Sequence, residues 1–252
     1  PSQASPLMRE SAFKVLALYY SMLVFSAALL AWFVIPDSKI KGNSFSPLKN
    51  MSNVLVRPII WMQAIIIICA YCGYKGIGNY SLYAVEVLGF NEVEGARTAS
   101  YAAWTRPIAA LIAGLLADRY SASRSILIMF LSLFIMYGSW SYATPNNLGI
   151  IVIYANFFIT CIFVYALRGV YFALLEENKT PKNLTGAAVG LVSVIGYTPD
   201  IFFAPIAGRI LDANPGIIGH QNYFFLLSII SLIGVFITIG ILSFYKKKLI
   251  KW

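Results

Sequence analysis

Charge is what this sequence has least of. Only 12% of its 252 residues are charged, with 10 acidic against 19 basic side chains, beside 59% hydrophobic residues. Together with a mean hydropathy of +0.74, that excludes an ordinary water-soluble domain. Histidine occurs once, as His220, and cysteine three times, which leaves few ligands for a metal centre. Cys69 and Cys72 form a C-x-x-C, but inside an apolar run with no strand-turn-helix context, so small apolar filler is the expected role and no cofactor is expected. Short alternating segments are missing, which excludes a membrane barrel. The basic residues, for all their net charge of +9, fall between apolar runs and build no face with interleaved aromatics, so no nucleic acid is expected as a partner. Neither a basic leader nor a small-residue cleavage site marks the first apolar run as a signal peptide, and the chain is expected to begin mid-protein.

What is present is seven long apolar stretches: Phe13 to Ile35, Pro58 to Ala84, Thr98 to Ala117, Ser125 to Ala143, Leu148 to Leu175, Leu184 to Leu211 and Tyr223 to Tyr245. A helix rising about 1.5 Å per residue needs roughly 20 apolar residues to cross about 30 Å of hydrocarbon. The fold class expected is therefore all-α, a polytopic protein of seven transmembrane helices embedded in a lipid bilayer. Alternate connections carry Lys39, Lys41, Lys49 and Arg57, then Arg119 and Arg124, then Lys179 and Lys182, then Lys246, Lys247, Lys248 and Lys251. The opposite side has only Arg9, Lys14, Arg97 and Arg209 near span ends, and Glu86, Glu92 and Glu94 in one connection. This asymmetry places the C-terminus in the cytoplasm and the N-terminus outside. The stretch from Pro36 to Arg57 mixes Pro, Gly, Ser, Asn and Lys, the composition of a flexible linker. The expected division is 1–35 as an outer end and first span, 36–57 as a cytoplasmic linker, and 58–252 as a six-helix unit with a cytoplasmic tail.

Four charges lie well inside apolar stretches, where they are tolerated only if protein or water surrounds them. Tyr71, Tyr74, Lys75, Gly78 and Asn79 share one helical face, and Gly73, Gly76 and Gly78 loosen that helix. Arg106 interrupts a stripe of Ala102, Ala109, Ala110, Ala113 and Ala117 that lets a neighbouring backbone approach. Asp200 sits on a face with Ser193, Tyr197 and Ala204, between Pro199 and Pro205, which predicts a kink. Counted from the outer ends, Lys75, Arg106 and Asp200 lie roughly 12 to 17 Å deep. Arg168 enters from the cytoplasmic side, with Tyr165 and Tyr171 near it around its helix. Lys75 and Asp200 can neutralise each other as a structural pair, or Asp200 can take up a proton. Arg168 can snorkel to the headgroups, whereas for Arg106 only Asp200 offers a partner. Three positive charges against one negative favour an anion, since guanidinium groups match carboxylate, sulfonate, phosphate or nitrate.

The run GLLADRYSASR from Gly114 to Arg124 resembles the cytoplasmic loop motif of the major facilitator superfamily, G-x-x-x-D-R-x-x-x-R, without its second glycine and one basic residue. The segment from Arg168 to Glu177, with Leu184 to Gly190 and Gly196 to Asp200, is similar to a bacterial branch grouped loosely with nitrate/nitrite-type porters. The glycine-dense signature of nitrate porters is absent, with Gly186, Gly190 and Gly196 too widely spaced, so an organic anion is expected at least as much as nitrate. The resemblance covers nearly the whole chain. It implies that the first span is the sixth of twelve helices and the rest the seventh to twelfth. It implies a secondary transporter of the inner membrane working by alternating access, with substrate near the midplane between two halves. The N-terminal half is then a missing partner, without which this half is not expected to transport. Gly114, Asp118, Arg119 and Arg124 would gate the cytoplasmic ends of moving helices, Gly114 through close helix contact and the charged residues through charge-assisted hydrogen bonds.

The leading expectation is a proton- or ion-coupled symporter for a small anion such as an organic acid. Lys75, Arg106, Arg168, Tyr71, Asn79 and Tyr197 would form the binding wall, with Asp200 balancing charge or carrying a coupling proton or cation. A carrier of sugars or other neutral solutes is the alternative, with Tyr71, Asn79, Tyr101, Asn156 and Tyr197 supplying hydroxyl recognition. A membrane enzyme lacks a nucleophile-base pair, and its one histidine is expected in an outer loop. A seven-helix receptor fits the span count but not the loop motif.

Overall fold

A computed structural model describes residues 6–35, 47–142, 144 and 149–249. Its regular structure is helical, with no strand among the described residues. The chain divides into two units, Pro1–Phe45 and Ser46–Trp252. In the first, α1 (Pro6–Val34) exposes Phe13, Leu23, Trp32 and Phe33 on all sides. Such a helix has no polar face to offer water, and hydrocarbon is the solvent it fits.

The second unit runs α2 (Pro47–Leu55), α3 (Pro58–Ile77), α4 (Tyr80–Glu86), α5 (Glu92–Trp104), α6 (Arg106–Tyr120), α7 (Ala122–Tyr142), α8 (Ile150–Val170), a 3-10 turn (Tyr171–Ala173), α9 (Leu174–Glu177), α10 (Lys182–Gly196), α11 (Pro199–Ala213) and α12 (Ile217–Leu249). Of the expected linker 36–57, residues 36–46 lie outside the described residues, as do Lys39, Lys41, Lys251 and the span ends Ala143 and Leu148. Residues 47–55 depart from a flexible linker. They form α2, which packs on α10 and buries Val54.

Six helical stretches among the described residues are long and apolar enough to cross a membrane: Glu10–Val34, Pro58–Glu86, Ala122–Tyr142, Ile150–Glu177, Lys182–Ala213 and Ile217–Phe244. The protein is a multi-pass membrane protein. The stretch expected as the third span, Thr98 to Ala117, is not among the six: Arg106 makes it less apolar than the others, and Thr105 divides it between α5 and α6. Pro107 has no N–H to continue the ladder, and the Thr105 hydroxyl donates to the Ala102 carbonyl at 2.6 Å.

Two further breaks follow, one at glycines and one at a proline. At α3–α4 the ladder tightens, with Gly78 N–H donating to Lys75 O at 3.1 Å and Asn79 N–H to Gly76 O at 3.3 Å. At α10–α11, Pro199 cannot donate, and the Thr198 hydroxyl reaches back to the Ile195 carbonyl at 2.7 Å. Both follow the sequence expectation of a glycine-loosened helix and a proline kink.

The core forms where α12 packs along α7 and α3. Tyr137 and Tyr223 are fully buried there. Their hydroxyls donate to the carbonyls of Gly73 at 3.0 Å and Gly76 at 3.4 Å, so these two rings fill the interior without leaving their own polar atoms unpaired.

Candidate functional site

Helix breaks leave side chains from several elements facing one another. Lys75 lies in the last turn of α3 and Asp200 in the first turn of α11. Lys75 Nζ stands 2.5 Å from Asp200 Oδ1, and the Tyr71 hydroxyl donates to Oδ2 at 2.9 Å. Both oxygens of the acid are therefore occupied. The Tyr71 ring packs 4.9 Å from that of Tyr197, whose hydroxyl is 3.2 Å from that of Tyr171.

The two arginines rest on aromatic faces instead of carboxylates. Arg168, in the last turn of α8, holds its guanidinium 3.9 Å from the centre of the Tyr74 ring and 5.7 Å from that of Tyr71. Arg106, the first residue of α6, stands 5.0 Å from the Tyr165 ring. That ring lies edge-on to Tyr74 at 6.2 Å. The negative face of an aromatic ring holds a cation for about 0.5–2 kcal/mol, and tyrosine side chains also hydrogen-bond the guanidinium groups, Tyr165 to Arg106 and Tyr171 and Tyr74 to Arg168. Among the described residues, neither guanidinium has a carboxylate at ion-pair distance.

The structure thus brings Tyr71, Lys75, Arg168, Tyr197 and Asp200 together and joins Arg106 to them through Tyr165 and Tyr74. The expected Arg106–Asp200 pairing is not made, because Lys75 and Tyr71 already take the acid. Asn79 stands apart as the N-cap of α4. With Lys75 it lines a cavity of about 720 Å³ between α3–α4 and α11, whose other charged walls are Glu86 and Asp212. Sequence reasoning gave Tyr74, Tyr165 and Tyr171 no place in the site. Their signal was available, since Tyr165 and Tyr171 flank Arg168 three residues to either side, on its face of the helix.

Of the residues expected to recognise a neutral solute, Tyr71 and Tyr197 pack together and Asn79 lines the cavity, while Asn156 and Tyr101 lie elsewhere. Asn156 accepts from Trp140 Nε1 at 2.5 Å and donates to Ser139 Oγ at 2.7 Å, tying α7 to α8. Tyr101 is exposed on α5. His220 corrects another expectation: it is not in a loop but in the first turns of α12, wholly buried, with Nε2 2.9 Å from Glu86 Oε2. The apolar run that hydropathy marks begins only at Tyr223, because His220, Gln221 and Asn222 lower the hydropathy before it.

Residues 11–204 of the chain match the Major Facilitator Superfamily. The chain belongs to the major facilitator superfamily. Among its relatives, inner membrane protein YihN of Escherichia coli (strain K12) is 28% identical over 247 residues, 90% of this chain and 56% of that protein. Inner membrane protein YqcE of the same organism is 24% identical over 258 residues, 94% of this chain and 58% of that protein. This facilitator chain spans a little over half the length of each.

The facilitator loop motif sits where α6 gives way to α7 through Ser121, whose φ of 82° makes the turn. Its parts differ from expectation. Gly114 is exposed, and a Cβ there would meet nothing within 4 Å, so it makes no close helix contact. The close approach belongs to Gly169 of α8, where a Cβ would lie 3.4 Å from that of Ala113. Asp118, Arg119 and Arg124 are exposed, and none forms an ion pair with a described residue. The Arg119 guanidinium lies 5.5 Å from the Tyr120 ring. Glu177, at the end of α9, makes the polar tie here. It accepts from the Ser123 backbone N–H at 2.8 Å and from the Ser123 hydroxyl, satisfying a free amide at the start of α7.

Proposed function

We propose that this chain forms one wall of the substrate path of a secondary carrier for a small anion such as an organic acid. The observation that carries the reading is the pair of guanidinium groups, Arg106 and Arg168, seated on tyrosine rings without a carboxylate, while the nearby acid is taken by Lys75. An anion entering between them would exchange water for charge-assisted hydrogen bonds and complete the charge balance of the patch. Tyr71 and Tyr197 would flank it, and Asn79 would face the approach through the cavity. The Lys75–Asp200 pair would act as the charge-balancing or coupling element, because an ion pair that opens can hand its charges to substrate and proton in turn. The complete carrier would need a second half packed against this wall, as the length of the relatives suggests, with the substrate reached alternately from the two sides of a bacterial inner membrane.

Uptake of a panel of labelled carboxylates, sulfonates, phosphate esters and neutral sugars into vesicles holding the complete carrier tests the reading. Arg106→Gln and Arg168→Gln should each lower anion uptake by more than about tenfold, the weight of one charge-assisted contact. Unchanged uptake in both variants, or competition by neutral sugars alone, would overturn it.

A further inference from the structure

Away from the tyrosine patch, the corner between α2 and α3 has a construction that the carrier reading leaves unused. Helical spacing puts Met51, Val54 and Leu55 on one side of α2, with Ser52 and Asn53 on the other. Of the apolar side only Val54 is covered, as α2 packs on α10; Met51 and Leu55 are exposed. The chain then turns through Val56, 79% exposed, and Arg57, extended at φ −93° and ψ 110°, into Pro58 at the start of α3. Trp61 fastens the turn. Its indole N–H donates to the Leu55 carbonyl at 2.8 Å and so satisfies a free acceptor at the end of α2. With that donor spent, the exposed part of the ring has only apolar surface to offer.

Basic groups stand beside this uncovered apolar surface. Ile67, midway along α3, already lies against Gly196, the last residue of α10. α2 precedes the start of α3, so it can meet α10 only toward that helix's beginning, where Lys182 is exposed. Arg57 and Lys182 therefore border the same short helix. Each also stands at the start of a membrane-crossing stretch, Pro58–Glu86 and Lys182–Ala213, so the corner lies where hydrocarbon gives way to headgroups. Neither cation forms an ion pair with a described residue. Glu177, a carboxylate shortly before α10, is taken by Ser123.

We propose that this corner binds an anionic phospholipid, with Arg57 and Lys182 facing its phosphate and Met51, Leu55, Val56 and Trp61 against its acyl chains. A guanidinium matches a phosphate in bidentate fashion. An amphipathic helix with a tryptophan at a span end belongs at the boundary between headgroups and hydrocarbon. Two uncompensated cations select an anionic lipid over a neutral one. The occupant is a lipid and not a free phosphate, because a free ion would leave the four apolar side chains uncovered. The site needs neither a transported substrate nor a second half, and so it stands apart from the carrier reading.

Trp61 is the reporter for the test. The chain is placed in bilayers of phosphatidylcholine with a rising share of phosphatidylglycerol, bromine being carried on the acyl chains of one lipid at a time. Quenching of Trp61 is read as the difference from Trp61→Phe. Phosphatidylglycerol should hold the site about fivefold more tightly than phosphatidylcholine, the weight of one basic residue near a charged surface. Arg57→Gln should remove most of that preference, and Arg97→Gln, on α5, should leave it intact. Equal quenching by the two lipids in the unaltered chain would overturn the site, and that result needs no variant to fold. An equal loss in Arg97→Gln would overturn it too, by showing attraction to overall charge. Millimolar inorganic phosphate should not restore the fluorescence; if it does, the site takes a free anion and the lipid is ruled out. In the complete carrier the same quenching is expected, and none from either lipid would mean that protein covers the corner. Uptake is not measured here, so failure of this site and failure of the carrier reading are told apart.

Discussion

Asp200 has both oxygens engaged, by Lys75 and by Tyr71, so removing it strips a lysine of its counter-charge without creating a vacancy for an anion. Lys75→Gln and Asp200→Asn should therefore each reduce uptake by the complete carrier, because each leaves one charge unbalanced within a membrane-crossing stretch. The double variant separates two roles. If the pair is structural, Lys75→Gln with Asp200→Asn restores uptake; if Asp200 carries the coupling proton, exchange returns but accumulation against a gradient does not. Comparing exchange and net uptake in the three variants reads this directly. Asn156 illustrates the opposite case, a polar residue in an apolar helix whose work is structural. Trp140 is 3% exposed and its indole N–H has Asn156 as its acceptor. Asn156→Ala should cost about 1–3 kcal/mol through the unpaired donor, measured as a lowered Tm in detergent, with substrate competition unchanged. An unshifted Tm would mean that the α7–α8 tie contributes nothing.

Elements explain what a hydropathy profile conceals. Pro199 with Pro205 and the glycines around Gly78 made two kinks legible in the sequence, since each removes a donor or loosens the ladder locally, whereas the break at Pro107 was not expected. The fate of Arg106 was not legible, because helical spacing assigns a face but not the neighbour across it. The same limit hid the Glu86–His220 contact, which joins residues 134 positions apart. Glycine roles also depend on neighbours. At Gly196 a Cβ would lie 2.9 Å from Ile67 Cβ, a branch point that cannot swing aside. Gly196→Ala should thus destabilise by about 1–3 kcal/mol as the α3–α10 contact is overpacked. Gly114→Ala meets open space and should leave stability unchanged or raise it by about 0.5–1 kcal/mol, the ordinary gain of alanine in a helix. Thermal unfolding of the two variants side by side tests the contrast; a lowered Tm for Gly114→Ala would place a neighbour on that glycine in the folded chain.

At the scale of the whole molecule, all-helical membrane architecture was readable from composition and stretch length alone, because hydrocarbon leaves few other solutions for the backbone. The loop motif pointed to the family, though not to the exposed setting of Gly114, Asp118, Arg119 and Arg124. What the second unit still owes is its direction in the membrane. One end carries Arg57, Arg119, Arg124, Lys179 and Lys182, and the other carries Glu86, Glu92, Glu94 and Asp212. Basic residues resist translocation, so the first end should face the cytoplasm. The chain suits a direct measurement, since Cys69, Cys72 and Cys161 are all buried and free and give little background with a maleimide. Lys182 at the start of α10 and Asn214 after α11 are both exposed. A membrane-impermeant maleimide should label Asn214→Cys in intact cells and Lys182→Cys only after the membrane is opened. The reverse pattern would invert the topology. It would also turn the cavity lined by Glu86 and Asp212 toward the cytoplasm.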